Sequence, residues 1–239
     1  MPNDLNVLLR LDGVLHTSDL PVQSFARHLT DQLPADRVRP MIAGMRGFLE
    51  GKPELLPAGT DFGQAEDGYQ AVTALAVAAG LTAAQIGAAR QQSRADLASS
   101  AWAVDAPDGL EELLAELGSA VTVAVFTEPD DPAASPVLDA VDVGTRIDLL
   151  LPTPVAEAIA GLPGHPVAAG LADRILVVGA RWAGELDVAA ATGCATALVD
   201  RYQLGLGSPD WRATGLAGLA EPIRSWVAAG AGVGTGQPL

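Results

Sequence analysis

Residues 6–15, N-V-L-L-R-L-D-G-V-L, constrain the fold more than any other stretch of the chain. A short run with apolar side chains on both faces has to be covered on both sides of a sheet, which is the situation of a central parallel strand. Asp12-Gly13 is a turn pair that ends the run. Arg10 therefore stands at the carboxyl end of the strand, where open α/β sheets place their ligand crevice. A guanidinium is not a nucleophile and does not ligate a metal cation. Much of what this chain can do chemically depends on that one position.

The rest of the sequence predicts the layers around this strand. After His16-Thr17-Ser18-Asp19, about eighty residues read as helices punctuated by Gly and Pro, with Leu20, Phe25, Leu29 and Leu33 at helical spacing. Tyr69, Val72, Leu75 and Val77 repeat the pattern, and residues 83–97 continue it. No strand is expected before Trp102. Beyond Pro107-Asp108-Gly109 helices and strands alternate: a helix over 110–117, strands over 121–126, 147–151 and 174–178, a helix over 185–192, a strand over 196–199 and a closing helix over 211–227. Such alternation predicts an α/β fold with a doubly wound parallel sheet. The expected division is a core of residues 1–16 and 103–228, a helical insert of 17–102 and a flexible Gly-rich tail of 229–239.

Composition narrows the partners. With 239 residues, 49% of them hydrophobic, the chain can bury a substantial core together with a smaller inserted domain. A formal charge of -15 opposes binding to nucleic-acid phosphates or anionic lipid, since both require a positive field. A single cysteine, Cys194, forms no internal disulfide and no Cys-based zinc site, and it is expected to fill core space. No targeting segment and no apolar run long enough to span a membrane is read, so the cytoplasm is the expected compartment. The histidines, His16, His28 and His165, are not at metal-ligand spacing. The lone lysine, Lys52, is expected to be solvated.

A strand ending in D-x-D-G-[TV]-L, a helical insert, an apolar strand ending in Ser or Thr, and a strand ending in G-D before an N-D and a helix together describe the haloacid dehalogenase-like (HAD) superfamily. This sequence resembles that layout over nearly its whole length, with residues 17–102 in the position of the cap. In L-L-R-L-D-G-V-L, Arg10 aligns with the aspartate nucleophile and Asp12 with the general acid/base, while Gly13 and Leu15 keep the register. In A-V-F-T, Thr127 aligns with the hydroxyl that hydrogen-bonds the transferred phosphoryl group. No lysine stands where the third motif would supply one, and Arg146 and Arg174 are the nearest cations in sequence. In I-L-V-V-G-A-R-W-A-G-E-L-D, Gly179 keeps the turn, Ala180 replaces the first metal-binding aspartate, Gly184 the asparagine and Glu185 the second aspartate. Arg181 lies within the same motif.

The resemblance implies attack by an aspartate on phosphorus, with magnesium held by that aspartate, by the backbone carbonyl of the acid/base and by fourth-motif carboxylates. Here Asp12 and Glu185 are the acids left, so no cofactor is expected although the family implies magnesium. Two unit charges 4 Å apart interact by about 4 kcal/mol at an effective dielectric near 20, and Arg10 facing a divalent ion would meet about twice that in repulsion. An internal role follows for Arg10: paired by Asp12 and Glu185, it would stand in for the absent cation. Arg10, Thr127 and nearby amides could instead bind a small anion.

Plainer readings stand beside these. Arg10 could point to solvent, Thr127 could cap a helix, Glu185 could answer a helix dipole, and Trp182 could simply pack. The resemblance thus leaves a HAD-like protein that has lost phosphoryl transfer and binds a small anionic ligand or a protein partner, with a homo-oligomer left open. The alternative is a divergent hydrolase, phosphatase or dehalogenase in type, with Asp12 as nucleophile and Val14 in the acid/base position.

Overall fold

A computed structural model describes residues 5–52, 62–99, 104–164 and 166–233. The chain divides into two compact units, Met1–Thr17 with Ala103–Leu239, and Ser18–Trp102. The first contains a six-stranded sheet: β1 (Asn6–Arg10), β2 (Thr122–Phe126), β3 (Leu149–Leu151), β4 (Ile175–Gly179), β5 (Ala195–Val199) and β6 (Trp211–Ala213). Their order is β3-β2-β1-β4-β5-β6 and every pairing is parallel. All five residues of β1 are buried, as a strand covered on both faces requires. Leu8 pairs in register with Ala124 on one side and Val177 on the other. With Phe126, Ile159, Leu162, Ile175, Leu186, Cys194 and Leu198 these residues form a core cluster, in which each large side chain contributes about 1.5–3 kcal/mol by leaving water.

The helices of this unit follow their apolar spacing. In α5 (Leu110–Leu117) the i, i+3, i+4, i+7 positions Leu110, Leu113, Leu114 and Leu117 are all buried, and Glu111 and Glu112 occupy the first turn, where the helix dipole favours them. Two helices escaped the sequence reading, α6 (Ala134–Ala140) and α7 (Val155–Ala160), of 7 and 6 residues. Pieces this short carry less than two turns of periodicity. Further on, α8 (Asp187–Ala191) is shorter than the expected 185–192, because Trp182–Leu186 is a wide turn with Ala183 extended and Gly184 at φ 72.

The expected closing helix over 211–227 is corrected by the structure. Trp211–Ala213 is an edge strand, Leu216–Leu219 a single 3-10 turn, and α9 spans Ala220–Val233. The cause lies in Asp210, whose carboxylate accepts from the Thr196 amide at 2.8 Å and the Thr196 hydroxyl at 2.9 Å. That bond pins Asp210 to the start of β5, so the next residues continue alongside it as a strand. Residues 229–233, read as the start of a tail, belong to α9; residues 234–239 lie outside the described residues. Likewise the strand expected over 147–151 pairs only at Leu149–Leu151, after a 3-10 turn at Gly144–Arg146.

The second unit packs α1 (Leu20–Thr30), α2 (Ala35–Leu49), α3 (Gly68–Ala78) and α4 (Ala83–Ser99), with no strand among its described residues. Phe25, Leu29, Met41, Tyr69, Val72, Leu75 and Ile86 make its core. Val77, placed on the buried face by its spacing, is instead exposed. Asp96 joins α4 to α1 by accepting from Ser24 Oγ at 2.6 Å, from Arg27 at 2.8 Å and from His28 Nε2 at 2.8 Å.

Candidate functional site

The order of the strands fixes where a site belongs. The chain builds outward from β1 through β2 to β3, then returns to the other side of β1 with β4, so the sheet changes direction at β1. Ligands of doubly wound sheets bind outside the carboxyl ends of the strands at such a switch point. Arg10 closes β1 there. It is only 4% exposed, which rules out the solvent-directed reading. Through Nη1 its guanidinium is ion-paired with the Glu185 carboxylate, and through Nε it donates to the main-chain carbonyl of Asp12 at 3.1 Å.

Glu185 is 1% exposed and held on every side that the local chain provides. Its Oε1 accepts the Ala180 amide at 3.2 Å, and its Oε2 also accepts Arg181 Nε at 3.2 Å. Gly179 is required beneath it, because a Cβ at that position would collide with Oε1. The left-handed Gly184 lets the Trp182–Leu186 turn bring Glu185 back over the end of β4. Glu185 is thus no surface acid in a helical turn but the buried counter-charge of Arg10 and Arg181.

Asp12 lies in a closed turn. The Gly13 amide donates to His16 O at 2.9 Å and the Leu15 amide to Leu11 O at 3.1 Å. Gly13 sits at φ 84, and a Cβ there would approach Ala180 Cβ to 2.7 Å, so the turn after β1 rests directly on the end of β4. The Asp12 Oδ1 is 2.8 Å from Nε2 of His16, a buried residue whose Nδ1 has no hydrogen-bond partner. The sequence reading passed over His16. Its one signal was the i, i+4 spacing to Asp12, which in an irregular turn predicts nothing. Val14 is fully buried and has no proton to exchange, which counts against it as the acid/base of the alternative hydrolase.

At the end of β2, Thr127 Oγ1 donates to Asp131 Oδ2 at 2.7 Å, and Asp131 Oδ1 accepts the Ala133 amide at 3.0 Å. Thr127 caps no helix, since α6 begins only at Ala134. The two arginines nearest in sequence to the third motif sit at the amino ends of their strands, opposite the crevice. Arg146 pairs with Glu111 at 3.4 Å, and Arg174 donates to Gly230 O at 3.2 Å. Lys52, in the helical unit, is exposed and paired with Glu50 at 2.6 Å. Trp182 packs against the core cluster and against Gly207, where a Cβ would overlap its ring. Cys194 is buried in that cluster, and burial pushes its thiol above its ordinary value while the Thr192 hydroxyl acts the other way.

These residues do not fit magnesium. The ion takes octahedral oxygen at about 2.1 Å, usually with one or two carboxylates. Ala180 offers no side-chain oxygen, both Glu185 oxygens are engaged, and the Asp12 carbonyl accepts from Arg10. Among the described residues no three His, Cys, Asp or Glu side chains gather in a metal-holding group.

The architecture is that of the HAD-like hydrolases. YfnB from Bacillus subtilis, described as a HAD-hydrolase and bound to magnesium, superposes with a TM-score of 0.59 at 15% identity, over 92% of this chain and 98% of its own. SP0104 from Streptococcus pneumoniae, a haloacid dehalogenase-like hydrolase, gives 0.55 at 17% identity over 95% and 99%. A haloacid dehalogenase-like family hydrolase from Xanthomonas campestris gives 0.54 at 18% over 97% and 94%. No protein-family model and no curated protein sequence matches the chain. The likeness establishes the fold, a parallel α/β sheet with flanking helices. Among the described residues no helix is long and apolar enough to cross a membrane.

Proposed function

We propose that this HAD-fold chain works by binding, as a regulatory or ligand-recognising protein, and has lost magnesium-dependent phosphoryl transfer. The observation that carries this reading is Arg10, a buried cation at the nucleophile position of the fold, ion-paired with Glu185. Nucleophilic catalysis needs an activated nucleophile within reach of a base, and a guanidinium cannot be made into one. Thr127, the position that would hold a phosphoryl oxygen, donates its hydroxyl proton to Asp131.

The same geometry argues against Arg10 as receptor for an anionic ligand, because two of its donors are directed at acceptors within the protein. Arg181, 22% exposed at its side chain, is the guanidinium of the cluster that keeps contact with solvent, and it is the better candidate to meet an anion. A divergent hydrolase has one observation in its favour: Asp12 and His16, 2.8 Å apart, form an acid–imidazole pair able to hold a proton.

Turnover separates the two. A panel of phosphoesters with magnesium, and of 2-haloacids without it, should show no hydrolysis above the uncatalysed rate. Saturable hydrolysis abolished by Asp12→Asn would replace the binding reading with the hydrolase. Thermal shifts across small phosphorylated metabolites then test for a ligand, since one at 100 times its dissociation constant stabilises by about 2.7 kcal/mol.

A further inference from the structure

We propose that Arg10 is this protein's resident cation: its guanidinium fills a cation site made by the Glu185 carboxylate and the Asp12 main-chain carbonyl, and once vacated that site takes free guanidinium rather than magnesium. The inference rests on the reading that the chain performs no magnesium-dependent phosphoryl transfer, and deepens it by naming what the crevice binds in place of a metal.

Three features make this a built site instead of a chance ion pair. The two acceptors come from different strands, Asp12 following β1 and Glu185 following β4, so one planar group ties the two strand ends across the switch point. Glu185 is positioned independently of Arg10, by the Ala180 amide on Oε1, by Arg181 on Oε2 and by the space that Gly179 leaves beneath it. Truncating Arg10 therefore removes the cation and leaves an anchored carboxylate buried in place. Asp12 is likewise held by its own turn and by His16, so its carbonyl stays where it is.

The occupant follows from the acceptors. A planar, weakly hydrated guanidinium offers several N–H donors in a fixed fork and needs no inner shell of oxygens. Magnesium needs six oxygens, gains no carboxylate from Ala180, and would face Arg181, which remains on Glu185. The repulsion from that neighbour is doubled for a divalent ion.

Chemical rescue tests this. Thermal unfolding of Arg10→Gly is followed in low-millimolar guanidinium chloride, with sodium chloride and magnesium chloride at matched ionic strength as comparators. The expected result is a melting temperature that falls in Arg10→Gly and climbs back by several degrees, saturably, with guanidinium alone. The unaltered protein and Arg10→Gly/Glu185→Gln should show no such rise. If Arg10→Gly does not fold in buffer, its refolding yield under the same salts gives the readout, with a gain confined to guanidinium expected. No gain, an equal gain with magnesium, or a gain that persists in the double variant would overturn the proposal. Phosphoester turnover by the unaltered protein would fail the functional reading instead, and is measured separately from the rescue.

Discussion

Arg10 shows how the loss of one side chain depends on what it leaves behind. In Arg10→Ala the buried Glu185 carboxylate loses a counter-charge and keeps Arg181, which is partly solvated. Breaking a buried pair from one side destabilises by about 3–5 kcal/mol, whereas replacing both partners with apolar groups of similar size is often neutral. Urea unfolding should therefore place Arg10→Ala at the lower part of that range, owing to Arg181, and Arg10→Met/Glu185→Leu closer to the unaltered protein than either single change. Additive losses would show that the two residues are not coupled. Arg10 and Asp12 could be located because the end of β1 fixes their places, whereas Glu185, expected at the start of a helix, lies in the turn before it. His16 and Asp131 were not legible, since hydrogen bonds inside irregular turns leave no periodic trace in the sequence. Thr127 was placed correctly at a strand end, but which way its hydroxyl proton points was decided by Asp131.

In the segment between β5 and β6 the Asp200 carboxylate gathers three donors. Burial by itself would raise the Asp200 carboxyl, yet the Gly205 amide at 3.0 Å, Arg212 at 2.7 Å and the Leu204 amide at 2.9 Å outweigh it and hold the group below the ordinary carboxylate range. A lowered native pKa means stability that is present above the unfolded value, about 3.9, and is lost as pH falls through the native one. Asp200→Asn should accordingly be less stable than the unaltered protein at neutral pH, with the gap closing in urea titrations taken progressively below pH ~4. A gap that stays constant with pH would refute this. Gly207 in the same segment has φ 75 and faces the Trp182 ring with no room for a Cβ. Gly207→Ala should cost about 1–3 kcal/mol and change the tryptophan fluorescence, whereas Gly205→Ala, strained but with open space around it, should cost less. The element that the sequence misplaced lies next door: W-R-A is too short to show alternation, and its strand state depends on Asp210 reaching Thr196, a tertiary bond.

Across the whole molecule, most of the sheet could be read from the chain because its central strands are continuous apolar runs ending in turns. In the insert, spacing marked α1, α3 and α4 but did not single out α2, and it put Leu20 and Val77 on the buried stripe although both are exposed. Chemistry was harder to read than fold, since a superposition at 15–18% identity carries the architecture and says nothing of the residues at strand ends. In this chain those residues are the Arg10 guanidinium at the end of β1, the Ala180 methyl group just after β4, and the Glu185 carboxylate, engaged by groups of the protein itself. The most direct measurement is a calorimetric titration of magnesium into the unaltered protein beside Arg10→Asp/Ala180→Asp. No saturable binding to the unaltered protein is predicted, with binding appearing in the double variant; tight, saturable magnesium binding by the unaltered chain would contradict the account.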